Sequence, residues 1–171
     1  QKGILNVFIN LRTIGSSING FAQAKPIAGG TDLTRIVINS TVGLGGFFDV
    51  ASHWGLRHQE EDFGQTLAVW GVKRSRYIYV PMLGPSTLRD LPSTLVRTNI
   101  PRLVLGNDYH WGMTVVDLVS ARADLMTATQ VRDASALDPY AFTRDAYYQR
   151  RKFLIFDGDL PVDDFFDEFE E

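Results

Sequence analysis

The 171-residue chain contains no cysteine, which removes disulfides, thiolate metal centres and cysteine nucleophiles together. Histidine is scarce: His53, His58 and His110 are the only three, and no pair has the spacing that places two metal ligands on one helical face. No uninterrupted apolar run reaches the roughly 18 residues a spanning helix needs, and no leader peptide is evident. The sequence opens on Gln1, not on methionine, as expected of a mature or partial chain. Lack of a spanning segment leaves membrane contact open, because amphipathic helices lie in the bilayer interface at near-zero mean hydropathy; the value here is −0.07. Strand-like sequence is also rare, confined to Tyr77-Ile78-Tyr79-Val80.

What is present suits one globular domain: 44% hydrophobic and 22% charged residues. The charges are segregated. Residues 157–171 hold eight acids and no base, while residues 1–156 hold 12 acids against 17 bases, a net of +5. Thirteen of the 17 bases are arginine, whose planar, weakly hydrated fork binds phosphate in a bidentate way. Charge alone fits phospholipid headgroups, nucleic acid or an ordinary solvated surface.

Ile4, Phe8, Leu11, Ile14, Ile18 and Phe21 fall at helical spacing and predict a helix over 4–21, bent or broken at Gly15-Ser16-Ser17. Pro26 opens a second segment whose firm part is expected from Thr31 or Asp32, since Gly29 and Gly30 weaken its start; Leu33, Ile36, Val37 and Ser40 share a face there. A glycine-rich junction at 43–46 leads into a short helix. Asp62 is the expected cap of a helix over 63–70, with Gly71 as its stop. Pro81 and Pro85 bracket the strand-like run, which therefore reads as an extended linker, and Ser86 as the cap of a short helix ending before Pro92. The longest helix is predicted from Tyr109 to about Val131, with Arg122 inside its apolar stripe. Asp138-Pro139 starts the last, to about Phe156. The fold class is therefore all-α, built from short helices with no substantial sheet. Residues 1–156 are the expected helical domain, and residues 157–171 an acidic, disordered tail.

Chemistry-bearing motifs are weak. No Gly-x-Ser-x-Gly elbow exists. His53 and His58 flank a turn near Glu60, Glu61 and Asp62, an acid–base or metal cluster on one reading and a polar loop on the other. Gly43-Leu44-Gly45-Gly46 lacks the Gly-Lys-Ser/Thr of a phosphate cradle, so close helix packing accounts better for it. Lys73-Arg74-Ser75-Arg76 beside Tyr77 and Tyr79 suits single-stranded nucleic acid, a bilayer interface, or a solvated basic turn. No catalytic, metal or cofactor site is expected from these residues.

Several runs carry more. Ile38-Asn39-Ser40-Thr41-Val42-Gly43-Leu44-Gly45-Gly46-Phe47-Phe48-Asp49-Val50-Ala51 closely resembles the motif of the MlaA/VacJ family. So do Glu61-Asp62-Phe63-Gly64-Gln65-Thr66-Leu67 with Trp70-Gly71, Pro81-Met82-Leu83-Gly84-Pro85-Ser86 with Arg89-Asp90, and Asp138-Pro139-Tyr140 with Arg144, Ala146-Tyr147 and Gln149-Arg150. Their order and spacing match from roughly residue 4 to 158. The resemblance implies a ring-like, all-α lipoprotein on the periplasmic, inner-leaflet side of a Gram-negative outer membrane. It implies an amphipathic passage beside a trimeric porin, through which mislocalised phospholipid leaves the outer leaflet for a soluble periplasmic carrier. It assigns no enzyme activity, cofactor or nucleic acid. On it we expect a lipid path near Asn39, Thr41, Phe47 and Phe48, a gating loop at Gly71, Lys73, Arg74 and Arg76, and packing glycines at Gly43, Gly45 and Gly46. The family's signal peptide, lipidated cysteine and early helical segment have no counterpart in the sequence, and charged residues replace later glycines of its hairpin after Gly71. A porin-bound adaptor without a passage of its own, docking through the aromatic-basic helix 139–156, is the rival expectation. A lipid hydrolase is the third.

Overall fold

The computed structural model of the chain describes residues 2–72, 75–81, 84–94, 96, 112, 115, 119, 126, 129, 130, 132, 133 and 136–160. Its elements are α1 (Lys2–Ala22), α2 (Pro26–Thr41), α3 (Val50–His53), α4 (Phe63–Val69), β1 (Tyr77–Val80), β2 (Gly84–Thr87) and α5 (Pro139–Ile155). The architecture is mainly α, as the sequence predicts.

α1 runs for 21 residues without the expected break at Gly15-Ser16-Ser17. Those small residues mark a contact, not a bend. Ser16 and Ser17 are buried, and the Ser17 hydroxyl donates to the Gly29 carbonyl of α2 at 2.8 Å. A Cβ added at Gly20 would lie 2.9 Å from the Gly29 nitrogen, so the two backbones cross at a distance only small residues allow. The same packing explains why α2 begins at Pro26, several residues before the expected start. Proline at the first helical position forgoes no hydrogen bond, and Gly29 sits against the Phe21 ring.

α3 and α4 follow their caps. The Asp49 carboxylate accepts from the Ser52 amide, and that of Asp62 from the Gln65 amide. Asp138 likewise accepts from the amides of Tyr140 and Ala141 to start α5, with Pro139 behind it. The strand-like run departs from expectation. β1 pairs antiparallel with β2, in register Tyr77 with Thr87 and Val80 with Gly84, so it is half of a hairpin and not a free linker. The prolines do not prevent this, because Pro85 lies in a two-stranded ribbon, where an edge position needs no amide donor. Ser86 is therefore a strand residue, not a helix cap, and residues 91–94 form a helical turn that includes Pro92. The helix expected over 109–131 and the tail beyond residue 160 lie outside the described residues, apart from isolated positions.

α1 lies along α2 and also meets α4; α3 packs on α2; α5 packs on α4 and β2. The interior these contacts enclose is polar.

Candidate functional site

Burial in this molecule runs against the usual direction. The largest fully buried side chains are Gln65, Thr13, Thr66, Thr87 and Asp32, whereas the buried hydrophobic side chains among the described residues are Phe8, Ala28, Ala51 and Ala68. Leu5, Ile9, Ile18 and Phe21 of α1 and Ile27, Leu33 and Val37 of α2 are exposed. No exposed side chain described between residues 3 and 42 is charged. A buried polar group or a contiguous exposed apolar face is each informative alone; here they occupy opposite sides of the same helices.

Buried charges need partners, and three networks bring opposite charges together in the interior. In the first, Arg35 reaches across from α2 to α3: Nη2 donates to both Asp49 carboxylate oxygens at 3.1 and 3.2 Å, and Nη1 to Ser52 Oγ at 3.0 Å and to the Leu56 carbonyl. Asn39 donates to Asp49 at 3.0 Å and accepts from the Ala51 amide at 2.9 Å. Burial alone pushes the Asp49 carboxyl up, but hydrogen bonds from Ser52 and Asn39 and the Arg35 charge outweigh it and hold the group down at about 2.

In the second, Arg151 of α5 joins Asp62 and Asp90. Its Nη1 lies 2.5 Å from Asp62, and its Nη2 donates to Asp62 and Asp90, both at 3.0 Å. Asp90 also accepts from Arg89 Nε at 2.9 Å and the Tyr147 hydroxyl at 2.8 Å. Burial opposes ionisation of both carboxyls, yet the arginines keep them below the usual carboxylate range. Gly64 makes room for this network: a Cβ there would fall 2.2 Å from Asp90 Oδ1.

In the third, Glu61, 5% exposed, accepts from Gln23 and Lys25 at 2.9 Å, and Lys25 Nζ also meets Asp157 at 2.6 Å. Burial raises the Glu61 carboxyl despite Lys25. His58 Nδ1 separately meets buried Asp32 at 3.0 Å. The polar loop 58–62 is thus divided among partners on different elements. Among the described residues, no three His, Asp or Glu side chains are arranged to hold a metal ion.

The expected lipid-path residues separate by burial. Phe47 and Phe48 are exposed, edge to face with centroids 5.1 Å apart, and Thr41 is exposed at the end of α2, its hydroxyl donating to the Val37 carbonyl. Phe48 lines an open recess of about 410 Å³ with Asn6, Asp49, Val50 and His53. Asn39 differs from them in burial, not in place: its backbone and that of Phe48 both pack against Gly43, while its side chain is buried in the Arg35 network. Gly43 is close-packed, since a Cβ would stand 2.3 Å from the Phe48 carbonyl oxygen, and Gly46 abuts Asn10. Gly45 faces open space, with a φ of +70°. Of the expected gating loop, Gly71 is exposed and follows α4, and Arg76 is exposed just before β1; Lys73 and Arg74 lie outside the described residues.

Sequence reasoning did not single out Arg35, Asp49, Gly64, Asp90 or Arg151 as site residues. One signal was present: Asp32, Arg35 and Asn39 recur at intervals of three and four along α2, a polar stripe as regular as the apolar one opposite.

Comparisons with known proteins place the chain in a family. The family model described as MlaA lipoprotein matches residues 1–154. The chain is similar to the intermembrane phospholipid transport system lipoprotein MlaA of Escherichia coli (strain K12), with 32% identity covering 94% of this chain and 65% of that protein. It is similar to the protein of the same name from Haemophilus influenzae, with 34% identity covering 94% of this chain and 66% of that one. The chain thus spans just under two thirds of the length of these relatives. A solved structure described as the structural basis for maintenance of bacterial outer membrane lipid asymmetry superposes with a TM-score of 0.75 at 31% identity, covering 90% of this chain and 79% of that chain.

Proposed function

This chain belongs to the MlaA lipoprotein family, and from that premise we propose that it serves phospholipid transport at the Gram-negative outer membrane. In this reading it sits on the periplasmic side, its short helices around an amphipathic passage. It takes phospholipid misplaced in the outer leaflet and hands it to a soluble periplasmic carrier, beside a trimeric porin. No covalent bond is made or broken.

The observation that carries the reading is the reversed polarity of α1 and α2. Their outward faces are apolar and, among the described residues, free of charge, while their inward faces hold Asn10, Thr13, Ser17, Asp32, Arg35 and Asn39. Each apolar Å² removed from water contributes roughly 25 cal/mol, so faces of this kind favour acyl chains. A polar interior gives a charged headgroup a route that hydrocarbon denies it. Among the described residues no helix is long and apolar enough to cross a membrane, which fits helices lying at the interface. The names of the relatives supply the cargo class, phospholipid.

The test is purification in mild detergent, with mass spectrometry of bound lipid and flotation with phosphatidylethanolamine–phosphatidylglycerol vesicles. Co-purified phospholipid together with flotation is the expected result. A lipid-free protein that stays at the bottom of the gradient contradicts the reading and favours the adaptor. Release of fatty acid, abolished by His53→Ala, His58→Ala or His110→Ala, would instead indicate a hydrolase.

A further inference from the structure

Aromatic residues are not spread evenly over this molecule. The first 76 residues contain no tyrosine, and their ring residues are phenylalanine and tryptophan. Five of the six tyrosines fall in the hairpin and α5: Tyr77, Tyr79, Tyr140, Tyr147 and Tyr148. The fold gathers them at one corner. Tyr77 is the hub, with ring centroids 5.6 Å from Tyr140, 6.0 Å from Tyr147 and 6.1 Å from Tyr148. The period of a strand puts Tyr79 on the same face of the ribbon as Tyr77, and Tyr79 and Tyr140 are 60% and 57% exposed.

Charge follows the tyrosines. Exposed positions of the hairpin arm and α5 include Arg76, Asp145 and Arg150, whereas those described between residues 3 and 42 include no charge at all. Arg150 has only a loose pair with exposed Glu60, at 3.8 Å, of the kind worth little in water. The corner and the charge-free faces lie on different elements. α5 meets β2 and α4, α4 meets α1, and α1 meets α2. Tyr140 stands at one end of α5 and Asp157, paired with Lys25 of the α1–α2 turn, just past the other; 17 helical residues separate those ends by about 25 Å.

We propose that this tyrosine corner is the interfacial anchor of the molecule: it docks in the phospholipid headgroup layer and fixes the depth at which α1 and α2 meet the acyl chains. The hydroxyls of Tyr147 and Tyr148 donate inward, to Asp90 and the Ser75 carbonyl, so Tyr79 and Tyr140 are the two that turn an apolar ring and a polar tip outward, the combination enriched where hydrocarbon gives way to water. Arginine beside the cluster, Arg76 directly before Tyr77, is drawn to lipid phosphate as basic residues are to any anionic surface. Phenylalanine and leucine without hydroxyl or charge have no such preference for the boundary. The proposal rests on the membrane reading above and adds an orientation to it.

The cysteine-free sequence permits a direct test. Val37→Cys, Tyr79→Cys and Tyr140→Cys, one per chain, are nitroxide-labelled and reconstituted into phosphatidylethanolamine–phosphatidylglycerol vesicles. Power saturation then compares collisions with oxygen, which concentrates in hydrocarbon, and with a water-soluble nickel chelate. All three sites are exposed; each tyrosine variant removes one ring of the cluster and leaves the other four, so its label reports the depth of the remaining corner, and circular dichroism checks that the helical fold is kept. The expected result is a Val37 label in the acyl region and Tyr79 and Tyr140 labels at phosphate level, separated by roughly 10 Å, a third of a ~30 Å hydrocarbon core. A deep Val37 label with tyrosine-site labels equally deep, or fully in bulk water, overturns the anchor and leaves the membrane reading standing. A Val37 label outside hydrocarbon overturns both.

Discussion

Arg151 ties together three stretches of chain distant in sequence, because its guanidinium serves the cap of α4 at Asp62 and the buried carboxylate of Asp90 while belonging to α5. Two carboxylates and two arginines make the cluster neutral, so deleting one member costs more than deleting an oppositely charged pair together. Arg151→Met leaves Asp62 and Asp90 close together with one compensating charge fewer, and is expected to cost about 3–5 kcal/mol of unfolding free energy, read from denaturant midpoints in detergent. Gly64→Ala pushes a methyl group against Asp90 and is expected to cost about 1–3 kcal/mol in the same assay. Asp49 gives a pH dependence. Its folded-state value of about 2 lies below the ordinary 3.8, so its contribution is fully present above about pH 4 and is lost as the pH falls towards 2. Asp62 and Asp90 shift the same way. Thermal midpoints across pH 2–5 should show that loss in the parent protein, with a shallower slope in Asp49→Asn.

At the scale of elements, α2 states the central physical idea. Asp32, Arg35 and Asn39 form its inner edge and Ile27, Leu33 and Val37 its outer one. If the outer edge meets lipid, Val37→Asp carries a penalty of about 2.5–3.5 kcal/mol for a charge within hydrocarbon, and the variant should lose vesicle flotation while keeping its helical circular dichroism. On an ordinary wet surface the same change alters stability by no more than about 0.5 kcal/mol and leaves flotation as it was. Periodicity made the apolar stripe of α2 legible, whereas the polar stripe at Asp32, Arg35 and Asn39 was present but not read; nor does a period say which stripe faces inward, since that depends on the surrounding solvent, which the sequence does not name. Caps were legible because they are local: Asp62 and Asp138 each bond an amide two or three residues on. The β hairpin was not, because Pro81 and Pro85 argue against a central strand and nothing local announces an edge ribbon. Nor was the uninterrupted α1, whose Gly15-Ser16-Ser17 acquires its meaning only from Gly29 across the helix crossing. Arg151 stayed hidden for the same reason, with its partners 61 and 89 positions away.

For the whole molecule, mainly-α architecture and family followed from runs of sequence whose order persists along most of the chain, and the three polar networks now give several of those runs a physical role. Glu61-Asp62, Arg89-Asp90 and Asn39 with Asp49 all supply the charged and amide groups that close the interior. In the proposed reading the apolar outer faces of α1 and α2 meet acyl chains and not water, and everything else in it depends on that contact. Phospholipid bearing a photoactivatable diazirine in its acyl chain, incorporated into vesicles with the protein and irradiated, marks the residues hydrocarbon touches. Adducts on Leu5, Ile9, Ile18, Ile27, Leu33 and Val37, and none on Thr13, Asp32 or Gln65, are the predicted result; α1 and α2 left unlabelled while label collects elsewhere would contradict it.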